Sequence, residues 1–275
     1  MVRRTLAALL AVLVTAWLAQ AQAPRFRWQT GQVLVYRTEH QTLASYVMGD
    51  AKSETKTRVQ SAKRWQVLGV DQAGVATLQL SLQALYFETI RPDGEALRFD
   101  SANPDKSTEA LSKQFADYIG KPLVVLRIDA QGKVLDVKDA KFGYSAARYE
   151  SDPAFKLLLP TEPLKAGQSW ERSYQITLEP PQGTGEKYAA AQRYACKGVA
   201  DNLATVTLTT EVKGAPSAQE DQVPLWQVQP EGEIVFDVQA GRLQKATLRI
   251  DKEAKVEGGS THFQSVYTEQ YAGDR

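Results

Sequence analysis

Leu157-Leu158-Leu159-Pro160-Thr161-Glu162-Pro163-Leu164-Lys165-Ala166-Gly167-Gln168-Ser169-Trp170 decides how the chain is read. A short apolar run meets one proline, passes a second, and reaches Gly-Gln ahead of a strand-like alternation. Proline lacks an N–H and fixes φ, so Pro160 and Pro163 stop regular structure, and Gly167 gives the freedom to turn into a new strand. Trp28-Gln29-Thr30-Gly31-Gln32 opens a strand in the same way near the start. The chain therefore restarts at this seam. It divides into an N-terminal β half, 22–158, with a helix near 107–119, and a C-terminal β half, 159–275.

Working outward, strand patterns dominate both sides. Val33, Val35 and Arg37 alternate with Leu34, Tyr36 and Thr38 towards Met48, and Thr55 to Val70 reads as a second strand. Asp71-Gln72-Ala73-Gly74 is a hairpin turn, and Val75 to Leu82 has the cleanest period of two, with Leu78, Leu80 and Leu82 on one face. Strands at Pro122–Ile128 and Lys133–Val137 flank Asp129-Ala130-Gln131-Gly132. After the seam, strands are expected from Gly167 to Leu178, Lys187 to Val199 and Leu203 to Val212, then a hairpin across Gln239-Ala240-Gly241 and a last strand from His262 to Tyr271. The turns at Gly132 and Gly241 match in sequence, which supports an internal repeat.

Two segments break the β pattern. Leu111, Phe115, Tyr118 and Ile119 fall at helical spacing between a Ser107 N-cap and the terminators Gly120 and Pro122. Such a one-faced stripe covers a sheet, or lids a ligand cavity. Asp152-Pro153 ahead of Ala154-Phe155-Lys156-Leu157 predicts a second, short helix.

Residues 1–21 have the form of a secretory signal: Arg3 and Arg4, an apolar run from Leu6 to Leu18, and Ala19-Gln20-Ala21. Cleavage near Ala21 places the protein outside the cytoplasm, in the periplasm or beyond, with no transmembrane segment after processing. Arg3 and Arg4 leave with the signal, so of 33 basic residues 31 remain against 32 acidic ones. That balance is the wrong electrostatic footprint for nucleic acid. Cys196 is the only cysteine, which excludes an intramolecular disulfide.

No residue pattern names a chemistry. His40 and His262 lie in no metal-ligand spacing and read as surface or strand histidines. Asp100, Asn103 and Asp105 offer oxygens to a cation, but not at EF-hand spacing, and such clusters form turns. Gly258-Gly259-Ser260-Thr261 lacks the strand-turn-helix setting of a nucleophile elbow and reads as a hairpin bend. Cys196, beside Lys197 in a strand, reads as a buried inert thiol, and Glu231 with Glu233 is one of many acidic pairs. Trp28, Trp65, Trp170 and Trp226 mark strand positions that pack a core or line a groove. No catalytic, cofactor-binding or metal-binding residue is assigned, no cofactor is implied, and the ligand-binding residues are unknown.

The blocks Trp28-x-x-Gly31, Asp100-Ser101-x-x-Pro104, Gly120-Lys121-Pro122-Leu123 leading through Asp129 to Gly132-Lys133-Val134, and Leu159-Pro160-x-x-Pro163-Leu164-x-x-Gly167-x-Ser169-Trp170 occur in this order over most of the chain. In them the chain resembles an uncharacterised family of exported bacterial β proteins, classified as a domain of unknown function. The resemblance implies export and antiparallel β structure, and carries no activity or site residues.

The expectation is a mainly β protein of two related curved antiparallel sheets or half-barrels, because long strands twist and their apolar face must be covered. The functional expectation is a non-enzymatic envelope protein that binds an apolar ligand or protein partner in a cavity of Leu, Val and Trp beside the helix from Ser107 to Ile119. The alternative is a structural or assembly protein acting through strand edges, and the third reading is an enzyme with an unrecognised site.

Overall fold

Inward and outward residues alternate so regularly along this chain that most of it forms ladders. The computed structural model describes residues 23–141, 146–178 and 183–274; the expected signal, 1–21, lies outside them. Among the described residues there are twelve strands: β1 (Val33–Met48), β2 (Ala51–Val70), β3 (Ala76–Ile90), β4 (Ala96–Asp100), β5 (Pro122–Ile128), β6 (Val134–Ala140), β7 (Ser169–Leu178), β8 (Glu186–Ala200), β9 (Leu203–Lys213), β10 (Glu231–Asp237), β11 (Arg242–Val256) and β12 (Gly259–Asp274). The mainly β, antiparallel reading stands.

The two expected sheets run into each other. All the strands belong to one sheet, in the order β6-β5-β3-β2-β1-β12-β11-β10-β9-β8-β7, with β4 branching from β3. The join is the pairing of the first strand with the last, from Leu34 opposite Asp274 to Met48 opposite Gly259. β6 and β7 end the order, and β4 pairs with β3 alone.

That sheet is strongly rolled. β3 and β9 stand six steps apart in strand order, about 29 Å in a flat sheet, yet Leu80 of β3 and Leu208 of β9 line one cavity. The helix α2 (Ala146–Ser151) packs on both β6 and β7, so it bridges the two edges. Among the described residues no helix is long and apolar enough to cross a membrane.

The seam fills the interior. The predicted helix over Ala154–Leu157 is absent: α2 ends at Ser151, and Pro153–Lys156 is a turn in which the Lys156 N–H donates to the Pro153 carbonyl. Lys156 has φ +59°, outside the helical region, which explains why the helix does not resume. The strap that follows sends Phe155 into the interior of the rolled sheet, with its ring 5.3 to 5.8 Å from those of Phe26, Trp28, Tyr36 and Trp65. Leu157 and Leu159 are buried beside it. The Leu159 N–H donates to Gln131, and the indole N–H of Trp170 donates to the Leu158 carbonyl. Trp170 thus holds the strap as the chain returns to β7.

The two matching turns also share a task. The Phe26 N–H donates to Ala130 in the β5–β6 turn, and the Arg27 N–H donates to Gly241 in the β10–β11 turn. Both turns clamp the segment ahead of β1, and Phe26 closes that end of the interior.

The helix α1 (Glu109–Phe115) starts two residues after the expected Ser107 cap and continues as a 3₁₀ turn over 116–118. Its stripe of Leu111, Phe115, Tyr118 and Ile119 covers a cluster of Leu82, Leu85, Phe99 and Leu123. It is a cover on the sheet rather than a lid.

Candidate functional site

Two opposite walls of the rolled sheet and the strap line a half-open cavity of ≈ 470 Å³, within the usual range for small-molecule pockets. One wall carries Val59, Trp65, Leu80, Leu82 and Leu85; the other carries Leu208, Leu248 and Ile250, with Val228 from the 3₁₀ segment after β9. Pro153, Ala154 and Lys156 of the strap complete it. The expected Leu, Val and Trp lining is present; Leu82 and Leu85 in it belong to the cluster that α1 covers, while the strap and α2 line the cavity directly.

Between the apolar walls runs a polar stripe on the three central strands. The register explains it: on the inward phase of β1, Thr38 and His40 follow Leu34 and Tyr36. On β2 Ser61 stands opposite Thr38 and Val59 opposite His40; on β12 Glu269 stands opposite Thr38 and Tyr267 opposite His40.

The stripe converges on Tyr267. Lys63 donates to the Tyr267 hydroxyl at 3.0 Å and to Glu269 Oε1 at 3.2 Å, and the Tyr267 hydroxyl donates to Glu269 Oε2 at 2.8 Å. Glu269 is fully buried, so these donors offset the cost of taking a carboxylate out of water. From the strap, the Lys156 ammonium lies 4.7 Å from the Tyr267 ring centroid and donates to both Asp152 oxygens, at 2.5 and 2.6 Å. Burial pushes the Asp152 carboxyl up, but the Lys156 charge and hydrogen bond outweigh it and hold the group below its ordinary value.

His40 lies 2.8 Å from the Ser265 hydroxyl and edge-on to Tyr267. Burial and then the Lys156 charge lower its pKa, so the imidazole is neutral near pH 7. Ser265 is its hydrogen-bond partner, and Asp152 is the carboxylate whose charge reaches it. Gln192 adds a second polar corner: it accepts from Arg172 Nε and from the Tyr194 hydroxyl, while an Arg172 Nη donates to the Ser151 carbonyl and anchors the end of α2 to β7.

The other residues singled out in the sequence lie elsewhere. His262 is on the surface, 2.7 Å from Asp251. The Asp100 carboxylate accepts from the N–H groups of Ala102 and Asn103 and from the Asn103 side chain, which is turn chemistry. Glu233 pairs with Lys197 on the exposed face. Gly258 and Gly259 sit at the β11–β12 hairpin, and Cys196 is buried, with burial pushing its thiol up. No group of three potential metal ligands occurs among the described residues. His40, read as a surface or strand histidine, is on β1 and lines the cavity.

No protein-family model matches the chain, and a search of curated proteins gives no match. Among solved structures it is similar to lipovitellin, described for its lipid–protein interactions, at 13% identity and a TM-score of 0.49, over 90% of this chain and 26% of that one. The chain therefore spans about a quarter of the lipovitellin chain. It is also similar to an outer membrane channel from Pseudomonas putida F1, at 9% identity and a TM-score of 0.26, over 90% of this chain and 97% of that one. A DUF1329 family protein from Desulfovibrio piger ATCC 29098 follows at 11% identity and a TM-score of 0.14, over 87% and 85% of the two chains.

Proposed function

We propose that this chain is an exported cell-envelope protein that binds an apolar ligand in the cavity under the strap and carries out no covalent chemistry. The observation that carries the reading is the cavity itself: ≈ 470 Å³, with leucines on two facing walls. Burial of apolar ligand surface there would contribute roughly 25 cal/mol per Å² before the costs of association. Export rests on the signal pattern of residues 1–21. The strap between β6 and β7 supplies the roof through Pro153, Ala154 and Lys156, just ahead of the seam. Assembly through strand edges is the weaker reading, because α2 packs on both edge strands.

Native mass spectrometry of protein purified from its own host tests the proposal. The expected spectrum has the processed chain carrying one small molecule that is lost on denaturation. A bare chain as the sole species would contradict the reading, and a chain-sized adduct would favour assembly.

A further inference from the structure

We infer that the ligand is an uncharged amphiphile with a hydroxyl or carbonyl group, held with its chain between the leucine walls and that group beside His40, Thr38 and Ser61. This rests on the reading of the cavity as a ligand site and adds the class of molecule that enters it. The charges around the cavity are already engaged within the protein. Lys63 pairs with Glu269 at 3.2 Å and Lys156 with Asp152 at 2.5 Å. Arg148 has an interaction of its own, and its charge reaches Asp152. Arg249 is exposed, on the outward phase of β11 opposite Glu231. An ionic head drawn between the walls would leave water without gaining a free counter-charge, whereas a hydroxyl or carbonyl gives up far less hydration.

Neutral hydrogen-bonding capacity is what the wall leaves open. The neutral His40 imidazole meets the Ser265 hydroxyl through Nε2, and no hydrogen bond to its Nδ1 occurs among the described residues. That nitrogen donates in one tautomer and accepts in the other. On the same phase of β1, the Thr38 hydroxyl stands 2.7 Å from that of its cross-strand partner Ser61. Two hydroxyls carry two hydrogens and the bond between them uses one, so the other is left for an acceptor. His40, Thr38 and Ser61 line the same cavity as Leu80, Leu82, Leu208 and Leu248. A bare hydrocarbon chain laid over them would strip these groups of water and offer nothing back. A hydroxyl or carbonyl on such a chain replaces the lost hydrogen bonds.

The test uses decanol, decan-2-one, decanoate and decyltrimethylammonium, below their micellar concentrations, each displacing the neutral fluorescent probe N-phenyl-1-naphthylamine from the processed protein. The inference expects decanol, decan-2-one or both to bind at least tenfold more tightly than either ion; decanol in the lead points to alcohols, and decan-2-one to carbonyl compounds. An apolar pocket by itself also prefers neutral molecules, so substitution separates the hydrogen bonds from that preference. His40→Phe, and separately Thr38→Val with Ser61→Ala, each lower the affinity for the favoured neutral amphiphile about tenfold and leave that for the fluorescent probe unchanged. Thermal melts report whether each variant is folded, and the Thr38→Val, Ser61→Ala protein keeps the shape of the wall if His40→Phe does not fold. An ion bound as tightly as the neutral amphiphiles, or affinities that the folded variants leave unchanged, overturns the inference while the apolar site stands. Failure of the probe and all four amphiphiles to bind overturns both.

Discussion

The ammonium of Lys63 on β2 lies 3.2 Å from the carboxylate of Glu269 on β12, with β1 running between the two strands. Glu269 is fully buried and Lys63 keeps about a fifth of its side chain exposed, so the pair is asymmetric. Truncating the lysine strands a carboxylate out of water. Lys63→Met is expected to cost about 3–5 kcal/mol, whereas Lys63→Met with Glu269→Leu recovers most of the loss. Urea unfolding of the three proteins checks it; additive losses in the double variant would contradict the pairing.

Phe155 is the anchor of the strap. It is 1% exposed and meets four aromatic rings, so Phe155→Ala should cost about 3–5 kcal/mol. Because the strap roofs the cavity, the same variant should bind a neutral apolar probe more weakly. Chemical unfolding and probe titration report the two effects separately.

Gly132 has φ +90°, and a Cβ there would stand 2.6 Å from the Phe26 ring and 2.9 Å from the Leu157 carbonyl oxygen. Gly74 has φ +81° in a similar turn, with nothing within 4 Å. Gly74→Ala therefore carries only backbone strain, about 1–2 kcal/mol. Gly132→Ala carries that strain and a clash of about 1–3 kcal/mol more. Equal melting temperatures for the two variants would show that the turn does not clamp the strap.

His40 sets a pH dependence. Burial and the nearby Lys156 charge lower its pKa from the ordinary 6.5, while Asp152 opposes them; Ser265, Tyr267 and Val59 are its other neighbours. The unfolded chain thus takes up a proton that the folded chain refuses, and stability falls as pH drops below about 6.5 towards the lowered value, by at most about 1.4 kcal/mol per pH unit. Asp152 and the other carboxylates with lowered pKa add their losses at more acid pH. His40→Gln should flatten stability between pH 7 and 5, read from urea midpoints across that range.

The strands were legible because inward and outward residues alternate, and the turns because Gly and Asp recur where the chain must reverse. α1 was legible because four apolar residues share a helical face. The single sheet was not, since the β1–β12 ladder joins Leu34 to Asp274 and leaves no local pattern. The short helix was misplaced because Asp152-Pro153 resembles a helix start, while the left-handed backbone of Lys156 ends that possibility.

The cavity stripe left a fainter signal. Thr38 and His40 stand on the phase of β1 that Leu34 and Tyr36 mark as inward, and Ser61, Lys63 and Trp65 share one phase of β2, as Ser265, Tyr267 and Glu269 do on β12. Polar residues on a buried phase mark a site on three strands at once. What alternation alone lacks is which strands meet, and the long β1–β12 pairing supplies it.

Whether the space under the strap is a ligand site is measured most directly by a titration with N-phenyl-1-naphthylamine of the wild type, Leu82→Trp and Leu248→Trp, which fill the cavity from opposite walls. Saturation at one equivalent in the wild type, with at least tenfold weaker binding in both variants at retained thermal melts, is the predicted result. Unsaturable binding, or affinity that neither tryptophan changes, would contradict it.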